Sequence, residues 1–260
     1  MKVLLNLAWS DLLTFLFVFL RVGVIFATVP FFSAEIIPRR MTATIAFFLS
    51  LILLPVIPPL KVDVAQVGVL YLLLVMLHEI FLGISLGLAV TVIFAAVQLA
   101  GELIGFQMGF AIVNVIDPMT GVDAPVTSNF LYIIAFLLFL SLDGHFMLIK
   151  AMHESFTLVP IGTGLPQQGF FYAALRYAAG MFSLALQLSA PVIGVLLLIN
   201  IAFALISRAI PQMNIFIMSF PIIIALGLVF MMITIRLMPF FLEGRLRDAW
   251  GFMQAVMKLF

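Results

Sequence analysis

Six long apolar blocks alternate with short polar breaks along the chain, at about 12–33, 41–60, 67–100, 126–142, 172–207 and 215–240. A helix needs roughly 17–25 mostly apolar residues to cross the hydrocarbon layer of a membrane. Each block has that length or more, so the pattern predicts an all-α chain of integral-membrane hairpins. The last two blocks are the cleanest, with no charged side chain between Arg176 and Arg208 or between Arg208 and Arg236. Their one break, Arg208-Ala-Ile-Pro-Gln-Met-Asn214, reads as a tight polar corner. Pro211 interrupts the helix there, and the amides of Gln212 and Asn214 can satisfy the backbone groups it frees.

Two blocks are too long for a simple serpentine topology. At 1.5 Å per residue, a continuous helix over Val67–Ala100 would run about 50 Å against a layer of about 30 Å. It must break, tilt or leave the bilayer. Tyr172–Ser207 has the same excess, and Pro191 in its middle lacks a backbone donor, which predicts a kink or helix boundary. Beyond residue 240, Leu242, Leu246, Trp250, Met253, Met257 and Phe260 recur at helical spacing, with Glu243, Arg247, Asp248 and Lys258 mostly off that stripe. The tail is expected to be an amphipathic helix lying on a membrane surface or a partner.

Composition then removes whole classes of function. Hydrophobic residues make up 65% of the chain and charged residues 9%, with a mean hydropathy of +1.34. Soluble domains hold roughly 45–50% apolar and about 25% charged residues, so a water-soluble fold is excluded. A net charge of +1 leaves no basic surface for nucleic acid, whose phosphates demand clustered Lys and Arg. The absence of cysteine removes disulfides, thiolate metal sites and cysteine nucleophiles. Met1-Lys2 followed by Val3 to Trp9 resembles a signal peptide only superficially, since Asp11 and Arg21 interrupt the apolar run, and the N-terminus is expected to be retained. With six spans, Lys2, Lys61, Lys150, Arg245, Arg247 and Lys258 share one side and Arg39, Arg40 and Arg208 the other. The positive-inside rule then puts both termini in the cytoplasm.

Candidate chemistry is sparse. His78-Glu79 begins like a zinc-protease helix, but the second His one turn later is replaced by Leu82. Asp143-Gly-His145 could form a proton relay, yet Asp-Gly is turn chemistry and no nucleophile accompanies it. Neither a P-loop nor a dinucleotide fingerprint is present, so no catalysis, cofactor or metal is expected. Arg21, Glu79, Glu102 and Arg208 lie in or beside apolar blocks, where an ionisable group is costly and needs a partner. They are read as pairing with one another or with neighbouring subunits. A proton-coupled secondary transporter using Glu79 and Glu102 is the alternative, although the duplicated pair of broken helices such a transporter would carry is missing.

The most unusual stretch runs from Gly101 to Gly121. Gly101, Gly105 and Gly109 form a small-residue stripe that admits another helix closely, and Gly83 with Gly87 repeats the device. Past Gly109 the chain is apolar but loop-like, closing on Asp117-Pro118. Such a loop is unsatisfiable in lipid, so it belongs inside protein, either as core packing or as a hydrophobic constriction that shuts a conduit by excluding water. Phe106, Met108, Phe110 and Met119, with Ile112, Val113 and Val115, supply bulk for such a plug.

A set of short motifs spread nearly end to end then points to a family. Arg21 with Pro30-Phe-Phe, Ile37-Pro-Arg-Arg40, Gly101-Glu102, Gly105-Phe-Gln-Met-Gly109, Asp117-Pro118, Asp143-Gly-His145, Ala190-Pro191, Arg208-x-x-Pro-Gln-x-Asn214 and Pro221 resemble the R-subunit family of the flagellar type III export gate (FliR). Residues 172–260 are similar to the small two-helix Q subunit, which leaves 1–171 as a P-subunit-like region. The resemblance implies a helical assembly of P and Q subunits around one R copy, in the inner membrane at the flagellar basal body. It also implies contact with the export-switch subunit FlhB, docked on the tail, and a channel for unfolded export substrates plugged by roughly Phe106–Gly121. Arg21, Glu79, Glu102, Arg208, Pro211, Gln212 and Asn214 become candidate subunit contacts, and membrane lipid a further partner.

Overall fold

The computed structural model describes residues 2–33, 38–58, 68–110, 126–163, 166–210, 212 and 214–260. Every regular element among them is helical: α1 (Lys2–Thr28), α2 (Pro30–Ser33), α3 (Arg39–Leu53) followed by a 3₁₀ turn (Leu54–Val56), α4 (Val69–Gln107), α5 (Val126–Ser141), α6 (Gly144–Leu158), α7 (Gly169–Ala209) and α8 (Ile215–Leu259). Five are long and apolar enough to cross a membrane, or six if the bent pair α5–α6 counts as one span. The all-α membrane class expected from the hydrophobic blocks is the class observed.

The structure chooses among the alternatives that the over-long blocks left open. The block beginning at Val67 does not break, because α4 runs 39 residues without interruption. Helix α7 continues through Pro191 for 41 residues instead of ending there. A membrane helix tolerates proline when neighbours re-satisfy the loosened backbone; Pro191 leaves the Gln187 carbonyl without its helical donor, and one residue along Thr234 of α8 donates to the Leu188 carbonyl at 3.1 Å. The tail is no separate element, for α8 spans 45 residues with Pro221 and Pro239 inside it. At 1.5 Å per residue these three helices reach about 58–68 Å, roughly twice the hydrocarbon layer, so tilt or protrusion is left to accommodate them.

The chain divides into two units built from discontinuous stretches. One takes its described residues from Met1–Val92, Asp143–Ala178 and Leu246–Phe260, the other from Ile93–Leu142 and Ala179–Arg245. In the first unit α1 lies on α4 at two glycines. A Cβ on Gly83 would sit 3.0 Å from the Val24 Cβ, and one on Gly87 would sit 2.6 Å from the Thr28 Cβ. Thr91 donates to the Thr28 carbonyl at 2.9 Å, one of the acceptors left open where α1 ends. The core around this crossing holds Phe17, Val22, Ile25, Leu82 and Leu86, all at most 1% exposed.

The amphipathic stripe at the end of α8 is covered by this same chain, which corrects its expected placement on a membrane surface or partner. Leu242, Leu246, Met253 and Met257 are buried. Phe252 stacks on Tyr177 at 4.3 Å, and the Phe260 ring meets His78, Phe81 and Phe170. The amide of Gln167 donates to the Leu259 carbonyl at 2.9 Å, and Lys150 stands over the Trp250 ring. Helical periodicity shows that a face will be covered, but it cannot say by what.

In the second unit the end of α4 and the start of α5 form an antiparallel hairpin. Thr127 donates to the Gly101 carbonyl at 2.8 Å and Ser128 to the Gln98 carbonyl at 3.1 Å, while further along Phe94 meets Tyr132 and Phe139. The small residues at the tip let the backbones close in: a Cβ on Gly101 would fall 2.4 Å from the Ser128 Cα.

Candidate functional site

Two constellations concentrate what this chain offers chemically. The first surrounds Arg21, the largest fully buried side chain. Its Nε donates to Glu79 Oε2 at 2.5 Å and its Nη2 to Glu79 Oε1 at 3.1 Å, a two-pronged pair with both side chains 0% exposed. The remaining donors turn to the end of α6. Nη1 reaches the Ser155 carbonyl at 2.9 Å, and both Nη1 and Nη2 reach the Val159 carbonyl at 3.1 Å. The Phe156 ring lies under the guanidinium at 4.2 Å. A cation at a helix C-terminus meets both the open carbonyls and the negative end of the helix dipole, so one residue staples α1, α4 and α6 together.

Arg21 and Glu79 were read as pairing with one another or with a neighbouring subunit, and within this chain they pair with one another. Each answers the other inside the chain, and neither presents a polar atom outward. Sequence gave no sign of Ser155, Phe156 or Val159 as partners, because a carbonyl acceptor and a ring face carry no charge pattern to read.

The second constellation is the tip of the α4–α5 hairpin. Helix α4 closes on Gly109, whose φ of 84° only glycine adopts without strain. The Phe110 amide bonds the Gly105 carbonyl and the Gly109 amide bonds the Phe106 carbonyl, each at 3.0 Å, the paired bonds of a Schellman stop. This turn separates neighbours sharply. Phe106 is 72% exposed, Phe110 is partly covered, and Met108 is 0% exposed. Met108 lies against Gly227 of α8, where an added Cβ would come within 2.7 Å of its Cγ. Of the candidate plug residues, Met108 is thus held in packing while Phe106 is presented outward. Ile112, Val113, Val115 and Met119 lie outside the described residues.

The other candidates are scattered. Gly105 is buried and Glu102 exposed on the last turns of α4. Arg208 is exposed at the end of α7, as are Gln212 and Asn214 in the corner, with the Asn214 carbonyl accepting from the Met218 amide. Pro211 lies outside the described residues. Asp143 sits in a left-handed turn, φ 58°, where α6 begins, so Asp143-Gly-His145 is a helix junction, and among the described residues no cluster of His, Asp and Glu could hold a metal ion.

Long apolar helices, a stapled interior and an outward-facing apolar tip describe a membrane component, and relatives supply the rest. The family described as bacterial export proteins, family 1, matches residues 12–249. The chain is 35% identical over 225 residues to the flagellar biosynthetic protein FliR of Bacillus subtilis (strain 168), covering 84% of this chain and 85% of that one. It is 34% identical over 229 residues to FliR of Pectobacterium carotovorum, covering 88% and 87%. To FliR of Escherichia coli (strain K12) it is 33% identical over 238 residues, covering 91% and 89%. Similarity that runs through both constellations and nearly the whole helical body places them in one lineage: the chain belongs to the FliR family, family 1 of the bacterial export proteins.

Proposed function

We propose that this component of the flagellar export apparatus is a non-catalytic subunit of the type III protein-export gate, lining and plugging the channel through which unfolded flagellar proteins leave. The observation that supports it most is the hairpin tip. The last turns of α4 and the start of α5 are locked together by close backbone packing at Gly101 and by side-chain bonds from Thr127 and Ser128, and Phe106 stands 72% exposed on the final turn of α4. An apolar loop between two anchored helices can shut a conduit by leaving water too few partners. On this reading Phe106 with Phe110, Ile112, Val113, Val115 and Met119 seal, whereas Met108 and Gly101, Gly105 and Gly109 hold the seal in place. Residues 1–171 act as the P-like part and 172–260 as the Q-like part, assembled with P and Q subunits and with FlhB in the inner membrane at the basal body. Glu102, Arg208, Pro211, Gln212 and Asn214 are the residues offered to those neighbours.

A proton-coupled transporter would need Glu79 free to change charge, and both its oxygens are bonded to a buried guanidinium, so that alternative gains no support. The test compares two substitutions on one turn. Phe106→Gly, or deletion within 111–115, is expected to let ions cross the membrane while the complex still assembles. Met108→Gly empties a packed site, which typically costs about 2–5 kcal/mol, and is expected to lower complex yield first. Membrane conductance and yield are measured on the same strains. A sealed membrane in the Phe106 and deletion variants with intact assembly would remove the plug.

A further inference from the structure

A cavity of about 440 Å³ lies between α1 and α3, lined by Phe19, Gly23 and Ala27 on one side and by Arg39, Thr42 and Ala46 on the other. That volume is in the range of ligand pockets, roughly 300–1,000 Å³. Its chemistry is graded along its length. Arg39 stands exposed at one end, with exposed Arg40 beside it, and no carboxylate pairs with either guanidinium among the described residues. Below Arg39 the lining is apolar. Thr42 is the polar exception, and its hydroxyl is already used on the Phe32 carbonyl at 3.1 Å.

The groove exists because of small residues. An added Cβ on Gly23 would meet no atom within 4 Å, unlike those on Gly83 and Gly87 of the same unit. On α1, Phe15, Phe19, Gly23 and Ala27 recur every four residues and so share one face. The face is open at Gly23 and Ala27 and filled at the other end, where the rings of Phe15 and Phe19 meet Phe47 at 5.3 and 6.1 Å. A partner helix running along α1 would have to continue past those rings. A single flexible chain need not.

Arg39 also begins a segment long and apolar enough to span the membrane, Arg39–Val56, which places its charge where such spans meet the headgroups. We propose that this groove is a binding site for an anionic phospholipid, its phosphate held by Arg39 with Arg40 adding attraction, and one acyl chain lying against Gly23, Ala27 and Ala46 towards Phe19. Guanidinium groups bond phosphate oxygens in a planar, two-pronged manner that zwitterionic lipids offset with their own ammonium. The site is independent of whether 106–121 plugs a channel.

The test uses the full chain in the complex it is extracted with, delipidated in detergent and titrated with dioleoyl-phosphatidylglycerol or dioleoyl-phosphatidylethanolamine under native mass spectrometry. Wild type is expected to retain the phosphatidylglycerol adduct at about tenfold lower lipid, a preference worth about 1.4 kcal/mol. Arg39→Gln should reduce that preference to about twofold, and Gly23→Leu should lose retention of both lipids at this site. A photo-crosslinker at Ala43, beside the cavity, should capture lipid. Equal retention of the two lipids by wild type, an unchanged preference in Arg39→Gln, or crosslinks from position 43 to a polypeptide would each overturn the proposal. Should Gly23→Leu fail to assemble, the exposed Arg39→Gln variant still decides the outcome.

Discussion

Helices α4 and α7 differ little in length, 39 and 41 residues, and both are uninterrupted and strongly apolar. Yet the chain covers 67% of the most apolar window of α4 and only 17% of that of α7. The glycines show why. Three of α4, Gly83, Gly87 and Gly101, each bring another segment of this chain within 3.0, 2.6 and 2.4 Å of where a Cβ would stand. Those of α7 are looser, since a Cβ on Gly169 would make ordinary contact with Leu259 at 3.5 Å, one on Gly180 would meet only Arg245 at 3.8 Å and one on Gly194 nothing within 4 Å. Apolar content measures the need for cover, and small residues mark where cover can come close, but only the fold decides whether the chain supplies it. Uncovered apolar area on this scale marks lipid or protein contact, which suits a subunit whose α7 side is completed by neighbours.

The comparison is most vulnerable at the staple. Arg21→Met leaves the Glu79 carboxylate buried without its cation, and breaking such a pair typically costs about 3–5 kcal/mol. The variant is expected to lose most of its steady-state level in membranes. Arg21→Met combined with Glu79→Leu should recover part of that loss, but not all, because the Val159 carbonyl loses both guanidinium donors, at about 1–3 kcal/mol, while the Ser155 carbonyl keeps the Val159 amide. Thermal unfolding of the detergent-extracted protein reads both variants. If the single change is harmless, the covering of α4 does not depend on the pair.

Next comes a matched pair of glycine substitutions. Gly101→Ala puts a methyl group 2.4 Å from the Ser128 Cα, backbone that cannot step aside cheaply, and overpacking of this kind costs about 1–3 kcal/mol. Gly194→Ala meets no atom of this chain and gains helix propensity, up to about 1 kcal/mol. Stability of the isolated chain should therefore fall in the first and hold or rise in the second. If Gly194→Ala instead lowers the yield of a co-purified complex, a neighbouring subunit occupies that gap, and the bare helix has found its cover.

The smallest expected effect lies at the exposed corner. Changing Gln212 and Asn214 together to Leu should leave membrane insertion and chain level close to wild type, because neither side chain is buried by this chain. A several-fold drop in co-purified partners, with level unchanged, would place the corner in an interface. Unchanged co-purification reduces it to a turn.

Much of the fold was legible because a membrane simplifies the code. The block at 126–142 matches α5, those at 12–33 and 41–60 fall largely on α1 with α2 and on α3, and the Arg208–Asn214 break falls between α7 and α8, since a lipid-facing backbone must satisfy its own hydrogen bonds and can do so as helix. Of the kink or boundary expected at Pro191, the boundary did not occur, since the helix continues through it, and the Thr234 hydroxyl that meets the nearby Leu188 carbonyl has no signature in the sequence. At the hairpin tip, the stripe of Gly101, Gly105 and Gly109 announced close approach. It did not distinguish Met108, locked against Gly227, from Phe106 two residues earlier, which faces outward.

The sequence by itself determined that this chain is a bundle of membrane-length helices, where most of them turn, and, through its motifs, which family it belongs to. These are properties of local composition and order, and lipid enforces them residue by residue. The tertiary structure decided who meets whom: that Arg21 is bound by Glu79 and the end of α6, that the apolar stripe of the tail is filled by the chain's own rings, and that α4 is mostly covered while α7 buries only a narrow stripe. Apolar surfaces and buried charges have no built-in address. Their partners are chosen by which segments reach them first in space, and that information exists only once the helices have been set against one another.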